Sequence, residues 1–132
     1  MHDMTRECTV VDLFTQFLEI APNGIMRADE RGMADGDTDW RVAMFHAESA
    51  DDVHADHWEK HALADEAVCC LHGAIRLWLR AGEPGAPDDS VRLLPGRAVI
   101  VPRDRWHRFE FEEPTDLLAL TVRQGTQLER WT

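Results

Sequence analysis

The sequence predicts an all-β domain, a sandwich or small barrel of antiparallel strands, and three observations carry that expectation. From Trp40 onward apolar and polar residues alternate with period two, β-branched and aromatic residues come in short runs, and turn residues interrupt them every 8 to 12 positions. Short strands at that spacing fit a sandwich or barrel and not an α/β fold, whose helices need longer stretches of 3.6-residue period. The chain has 132 residues, the size of one domain, and is 44% hydrophobic and 30% charged, enough to bury a single core.

The elements follow in order. Residues 10 to 20 carry Leu13, Phe14, Phe17 and Leu18 at helical spacing and end at Pro22, Asn23 and Gly24, which predicts a short amphipathic helix. Residues 25 to 39 are mostly polar with no steady period, and read as an irregular surface connection. This divides the chain into an N-terminal arm over 1–39 and a β domain over 40–132. Strands are expected at Trp40 to Ala47, across 57–61, at Ala67 to Leu71, and through Ile75, Leu77 and Leu79. Further strands are expected from Val91 to Leu94, Ala98 to Val101, His107 to Phe111 and Leu117 to Arg123. Residues 81 to 90, with two Gly and two Pro, form an exposed hairpin loop.

Charge excludes some partners. Fourteen Lys and Arg against 25 Asp and Glu give a formal net charge of −11, which repels nucleic-acid backbones and anionic membrane surfaces. No apolar run approaches the ~18 residues of a membrane span, and no signal-peptide pattern opens the chain, so a cytoplasmic location is expected. Cys8, Cys69 and Cys70 lack zinc-knuckle or redox spacing, and the neighbouring pair reads as small core residues.

Chemistry concentrates in residues 54 to 66, HADHWEKHALADE. If 57–61 is extended, His57, Glu59 and His61 share one face; after a turn, Glu66 opens the next strand and returns to the same side. Some forty residues later His107 shares a face with Phe109 and Phe111, an expensive environment for an imidazole without a partner. Two histidines and one or two carboxylates facing one interior make a nitrogen and oxygen donor set suited to iron, manganese, zinc or nickel, and unlike a calcium site. His57 is a weaker candidate, and His46, His54 and His72 weaker still. Trp58, Trp78 and Trp106 read as packing groups, Arg103, Arg105 and Arg108 as solvated turn residues, and Cys70 as a buried spacer.

These residues resemble the cupin superfamily of small β-barrels over roughly residues 40 to 123. The first cupin motif, G-x5-H-x-H-x3,4-E-x6-G, is matched by Glu59, His61, Glu66 and Gly73 at the motif's spacing, with Val53 in place of the first glycine and Glu59 in place of the first histidine. The second, G-x5-P-x-G-x2-H-x3-N, is matched by Gly96, Pro102 and His107, with Asp104 in place of a glycine and Phe111 in place of the asparagine. The resemblance implies a jelly-roll barrel, a double-stranded β-helix, with one divalent metal ion (Fe, Zn, Mn or Ni) held by His61, Glu66 and His107. Glu59 is either a fourth ligand or a catalytic base. It further implies an enzyme acting on a small-molecule substrate, by oxygen-dependent oxidation or by Lewis-acid cyclisation or isomerisation, and a homodimer. A non-catalytic module that binds or senses a small ligand is the alternative, and a metal-free isomerase using His61 and Glu66 as acid and base is a third.

Overall fold

A computed structural model describes residues 8–30, 39–49, 52 and 55–131, and every described element of regular length is a strand. The described residues form eleven strands: β1 (Gln16–Ile20), β2 (Met26–Glu30), β3 (Trp40–Ala47), β4 (His57–Lys60), β5 (Glu66–His72), β6 (Ile75–Leu79), β7 (Asp89–Leu93), β8 (Ala98–Val101), β9 (His107–Phe111), β10 (Thr115–Thr121) and β11 (Gln127–Arg130). They form a six-stranded sheet, β2-β1-β3-β10-β5-β8, and a five-stranded sheet, β11-β4-β9-β6-β7. All pairings are antiparallel, and β5 and β6 lie in different sheets although one tight turn joins them. Hairpins that cross between two facing sheets are what the jelly-roll expectation requires.

The core lies between the sheets. Val68, Cys70 and Leu117 from the six-stranded sheet meet Ile75, Leu77, Leu93 and Phe109 from the other, with Val101 closing the cluster. Alternation along the strands places them there: Ile75 and Leu77 are fully buried while Arg76 between them and Trp78 after them are not. Cys70 is fully buried as a core spacer, Cys69 is half-buried and Cys8 exposed, and all three are free. No helix among the described residues is long and apolar enough to cross a membrane.

The N-terminal expectation is corrected. Residues 10 to 20 do not form a helix: Asp12 to Thr15 make one turn, in which the Gln16 amide donates to the Asp12 carbonyl at 2.8 Å, and the chain then extends as β1. Residues 26–30, read as irregular, are β2. The Ala21 amide donates to the Ile25 carbonyl, Gly24 sits at φ 88°, and β1 returns on β2 from Ile20 opposite Met26 to Gln16 opposite Glu30. The apolar stripe of 13 to 18 fits either structure; β3 decides, because it offers an open ladder that pairs Leu18 with Val42, and a helix of this length is marginal alone. At the other end, β11 was not foreseen, since QLER is short and fully exposed.

Gly73, in the turn from β5 to β6, fixes the crossing between sheets. It lies at φ 88°, and an added Cβ would sit 2.5 Å from both the Pro114 carbonyl oxygen and the Thr115 hydroxyl. Thr115 is fully buried and its hydroxyl donates to the Ala74 carbonyl, so the obstruction cannot swing away. Gly73→Ala is therefore expected to lower stability by about 3 kcal/mol or more, roughly a 10 °C fall in Tm, read by thermal denaturation. A shift within two degrees would show that this turn is not rigid.

Candidate metal centre

One end of the sandwich gathers the polar residues that the sequence singled out. His107 opens β9 and pairs with Glu59 of β4; Glu66 opens β5 in the opposite sheet; and His61 follows β4 directly. The centre therefore bridges the two sheets, with Glu66 and His107 at the first positions of their strands and Glu59 and His61 at the end of β4. Two turns are tied together beneath it: the Asp104 amide donates to the His61 carbonyl at 2.8 Å, and the Arg103 amide donates to the Asp65 carboxylate at 2.9 Å. Asp104 has φ 63°, so the position that holds a glycine in the cupin motif keeps the left-handed backbone, which Asp tolerates better than most residues.

One donor atom from each of Glu59, His61, Glu66 and His107 lies within 4.8 Å of the other three, and all four residues are buried. His61 Nε2 is 2.8 Å from Glu59 Oε1 and 3.4 Å from Glu66 Oε2, while His107 Nε2 is 3.0 Å from Glu66 Oε1. Close approach does not make these contacts hydrogen bonds. His61 Nε2, His107 Nε2 and Glu66 Oε1 are fully shielded from solvent yet have no aligned hydrogen-bond partner. The other nitrogen of each ring is engaged: His107 Nδ1 donates to the Arg105 carbonyl at 3.1 Å, and His61 Nδ1 lies 2.8 Å from the Thr126 hydroxyl. Anchoring Nδ1 fixes the ring and leaves Nε2 to a metal, the usual support for a ligating histidine.

Electrostatics follow from this crowding. Burial works against the His61 imidazolium, but Glu59 and Glu66 outweigh it and hold its pKa up at about 9. Burial likewise opposes charge on His107, and Glu66 beside it raises its pKa on balance. Glu66 shows the converse: burial disfavours its carboxylate, yet His107 and His61 bring its pKa down to about 2. Without a metal, the neighbouring carboxylates favour protons on the His61 and His107 imidazoles. A divalent cation can replace those protons with no net charge left behind, and orphaned buried donors of this kind fit such an ion. The mixed imidazole and carboxylate set suits iron, manganese, zinc or nickel.

The structure thus brings together the four residues chosen from the sequence and leaves the weaker candidates outside. His57 Nδ1 lies 2.8 Å from Asp56, His46 stands between Asp116 and Glu48 on the outside of β3, and His72 is exposed at the end of β5. His54 and Val53 lie outside the described residues. Trp58, Trp78 and Trp106 are packing groups, as expected, but Arg108 is not a solvated arginine. It is buried on the outward side of β9 with its guanidinium carbon 3.8 Å from the Trp131 ring centroid and near Trp58 and Trp78. Sequence reasoning missed two residues beside the centre, Thr126 and Arg123. Arg123, whose Nη1 is 3.8 Å from Glu59 Oε1, continues the inward parity of Thr115, Leu117 and Thr121 and was legible on that ground. Nothing in the sequence marks Thr126.

Comparison with known proteins settles the fold. No protein-family model matches the sequence, and the search of curated proteins found no match. Two solved structures share the fold at a TM-score of 0.50. A cupin-2 domain containing protein from Shewanella frigidimarina is 17% identical over 70% of this chain and 76% of that one. Hydroquinone 1,2-dioxygenase from Sphingomonas sp. TTNP3, a structure with 4-hydroxybenzoate bound, is 16% identical over 69% of this chain and 64% of that one. This chain therefore spans less than two thirds of the dioxygenase. With two antiparallel sheets and the donor cluster at one end, the protein has the cupin fold, as the motif resemblance implies.

Proposed function

We propose that this protein is a metal-dependent enzyme that acts on a small organic molecule, by oxygen-dependent oxidation in preference to Lewis-acid cyclisation or isomerisation. The observation that carries the reading is the convergence of one ligand atom from each of Glu59, His61, Glu66 and His107, all buried, within 4.8 Å of one another. Imidazoles and carboxylates packed this closely out of water need protons or a cation among them, and a divalent ion supplies the charge. Two histidines and one carboxylate leave coordination positions for substrate and oxygen, and the ion supplies Lewis acidity or redox chemistry when bound.

Glu59 is proposed as the base. It is the most exposed of the four residues, at 8%, and Arg123 stands beside it. A carboxylate at the solvent side of the cluster can take a proton from an arriving molecule while the deeper donors stay fixed. That a neighbour of this fold is a dioxygenase supports the oxidative reading without extending that protein's substrate to this chain.

A second reading, a barrel that holds a ligand without turning it over, is favoured by the depth of the cluster, since His61 and His107 are exposed by only 2% and 1%. Loading the protein with manganese(II) and measuring water-proton relaxation separates the two. The enzyme reading expects enhanced relaxation from at least one rapidly exchanging water on the ion. Relaxation no greater than that of a closed site would favour the binding reading.

A further inference from the structure

The four arginines near the turns around the centre divide sharply. Arg103 reaches toward Asp65, with Nε 3.9 Å from the carboxylate; Arg105 Nε donates to the Arg80 carbonyl; and Arg108 is stacked among tryptophans on the outer face. Each points its charge away from the cluster or is already engaged. Arg123 differs. It lies just past β10, on the inward parity of that strand, and its side chain is 35% exposed. Among the described residues its ion-pair partner is Glu59, with Oε1 at 3.8 Å, too long for a hydrogen bond. Among the described residues no other Lys or Arg comes within 4.0 Å of a carboxylate oxygen of Glu59 or Glu66.

A partly exposed guanidinium that makes no hydrogen bond among the described residues, set beside the most exposed member of the cluster, is placed to meet whatever enters. We propose that Arg123 is the anchor for a carboxylate group on the molecule that acts at this centre. The inference rests on the metal-centre reading and names the substrate class for it. Charge selects a monoanion. A divalent ion balances the two glutamates, so Arg123 leaves a single positive charge over, which one carboxylate neutralises; a phosphate dianion would leave an excess of negative charge against Glu59. Shape agrees, because the planar guanidinium fork matches a carboxylate in two parallel hydrogen bonds. In a chain of net charge −11, such a local positive site is also what admits an anion at all.

The test is calorimetric titration of benzoate, with uncharged benzamide as its control, into zinc-loaded wild-type protein, Arg123→Gln and Arg123→Lys, with zinc uptake measured for each. Benzoate is expected to bind the wild type saturably and benzamide at least tenfold more weakly; Arg123→Gln weakens benzoate about tenfold or more, and Arg123→Lys recovers part of the loss. Zinc uptake by Arg123→Gln stays at the wild-type level, which shows that fold and centre persist. Equal benzoate affinity in wild type and Arg123→Gln, or no saturable benzoate binding to the wild type, would overturn the proposal. If benzoate binding depends on Arg123 while the wild type takes up no zinc, the metal reading fails and the carboxylate anchor stands.

Discussion

Protein purified without chelators carries close to one divalent ion per chain, and the double substitution His61→Ala with His107→Ala loses it. The expectation follows from where the donors sit. His61, just past the end of β4, and His107, at the start of the antiparallel β9, lie at the same end of the sheet with ring centroids 5.4 Å apart, and their Nε2 atoms face the same carboxylate of Glu66. Removing both leaves two buried glutamates, a donor set without imidazole that no longer holds zinc or iron against water. The isosteric Glu66→Gln preserves packing at this buried site and should also weaken metal uptake, because it removes an anionic donor while keeping shape. Binding an ion at one hundred times its Kd stabilises the folded chain by about 2.7 kcal/mol, so zinc should raise the wild-type Tm by several degrees and leave the double variant unchanged. Full metal occupancy in the double variant, by elemental analysis of folded protein, would refute the assignment.

The second large effect is the dependence of metal binding on pH. His61 has a pKa of about 9 in the metal-free protein against an ordinary 6.5, with burial opposing and Glu59 and Glu66 raising it. Because the folded value is the higher one, its imidazolium stabilises the metal-free fold fully below about pH 6.5, and this stability, roughly 3 kcal/mol, is lost as pH rises through 9. Glu66 runs the other way. Burial opposes but the two imidazoles prevail, its pKa falls from 4.5 to about 2, and the stability is present above 4.5 and lost as pH drops toward 2. Both shifts report the same contacts, so they are not additive. Metal-free protein is therefore most stable between about pH 4.5 and 6.5.

Metal binding must expel the imidazole protons, so apparent affinity should rise at least tenfold per pH unit from 6 to 8 and level off above about 9. The two trends oppose one another: over that range the Tm of metal-free protein falls while the increment added by metal grows. Melting curves with and without zinc across this range read both. A metal increment that does not change with pH would mean that the imidazoles are not the groups the ion displaces.

What the sequence revealed, and what it did not, divides along a physical line. Strands from Trp40 to Thr121 were legible because alternation has a fixed period and the core needs one apolar face; Ala98 to Val101, for example, matches β8 at both ends. Strand parity made Glu59, His61 and Glu66 legible together with His57, the aromatic surroundings of His107 marked it as expensive to bury, and the resemblance to the cupin motifs singled out the four donors. The N-terminal pair was not. Residues 13 to 18 satisfy a helical stripe, and only the open edge of β3, a tertiary feature, selects β1. Arg108 misled for a similar reason: parity puts it outside, but Trp131, far along the chain, folds back to cover it. Thr126 supports His61 from a turn whose position depends on β11, so its role had no local signature.

The most direct test is an anomalous difference map from crystals of the zinc- or cobalt-loaded protein, recorded at the metal edge. The account predicts one strong peak at about 2.0 to 2.2 Å from His61 Nε2, His107 Nε2 and a carboxylate oxygen of Glu66. A map in which the ion lies elsewhere, or in which those three side chains bond only to one another and to water, would contradict it.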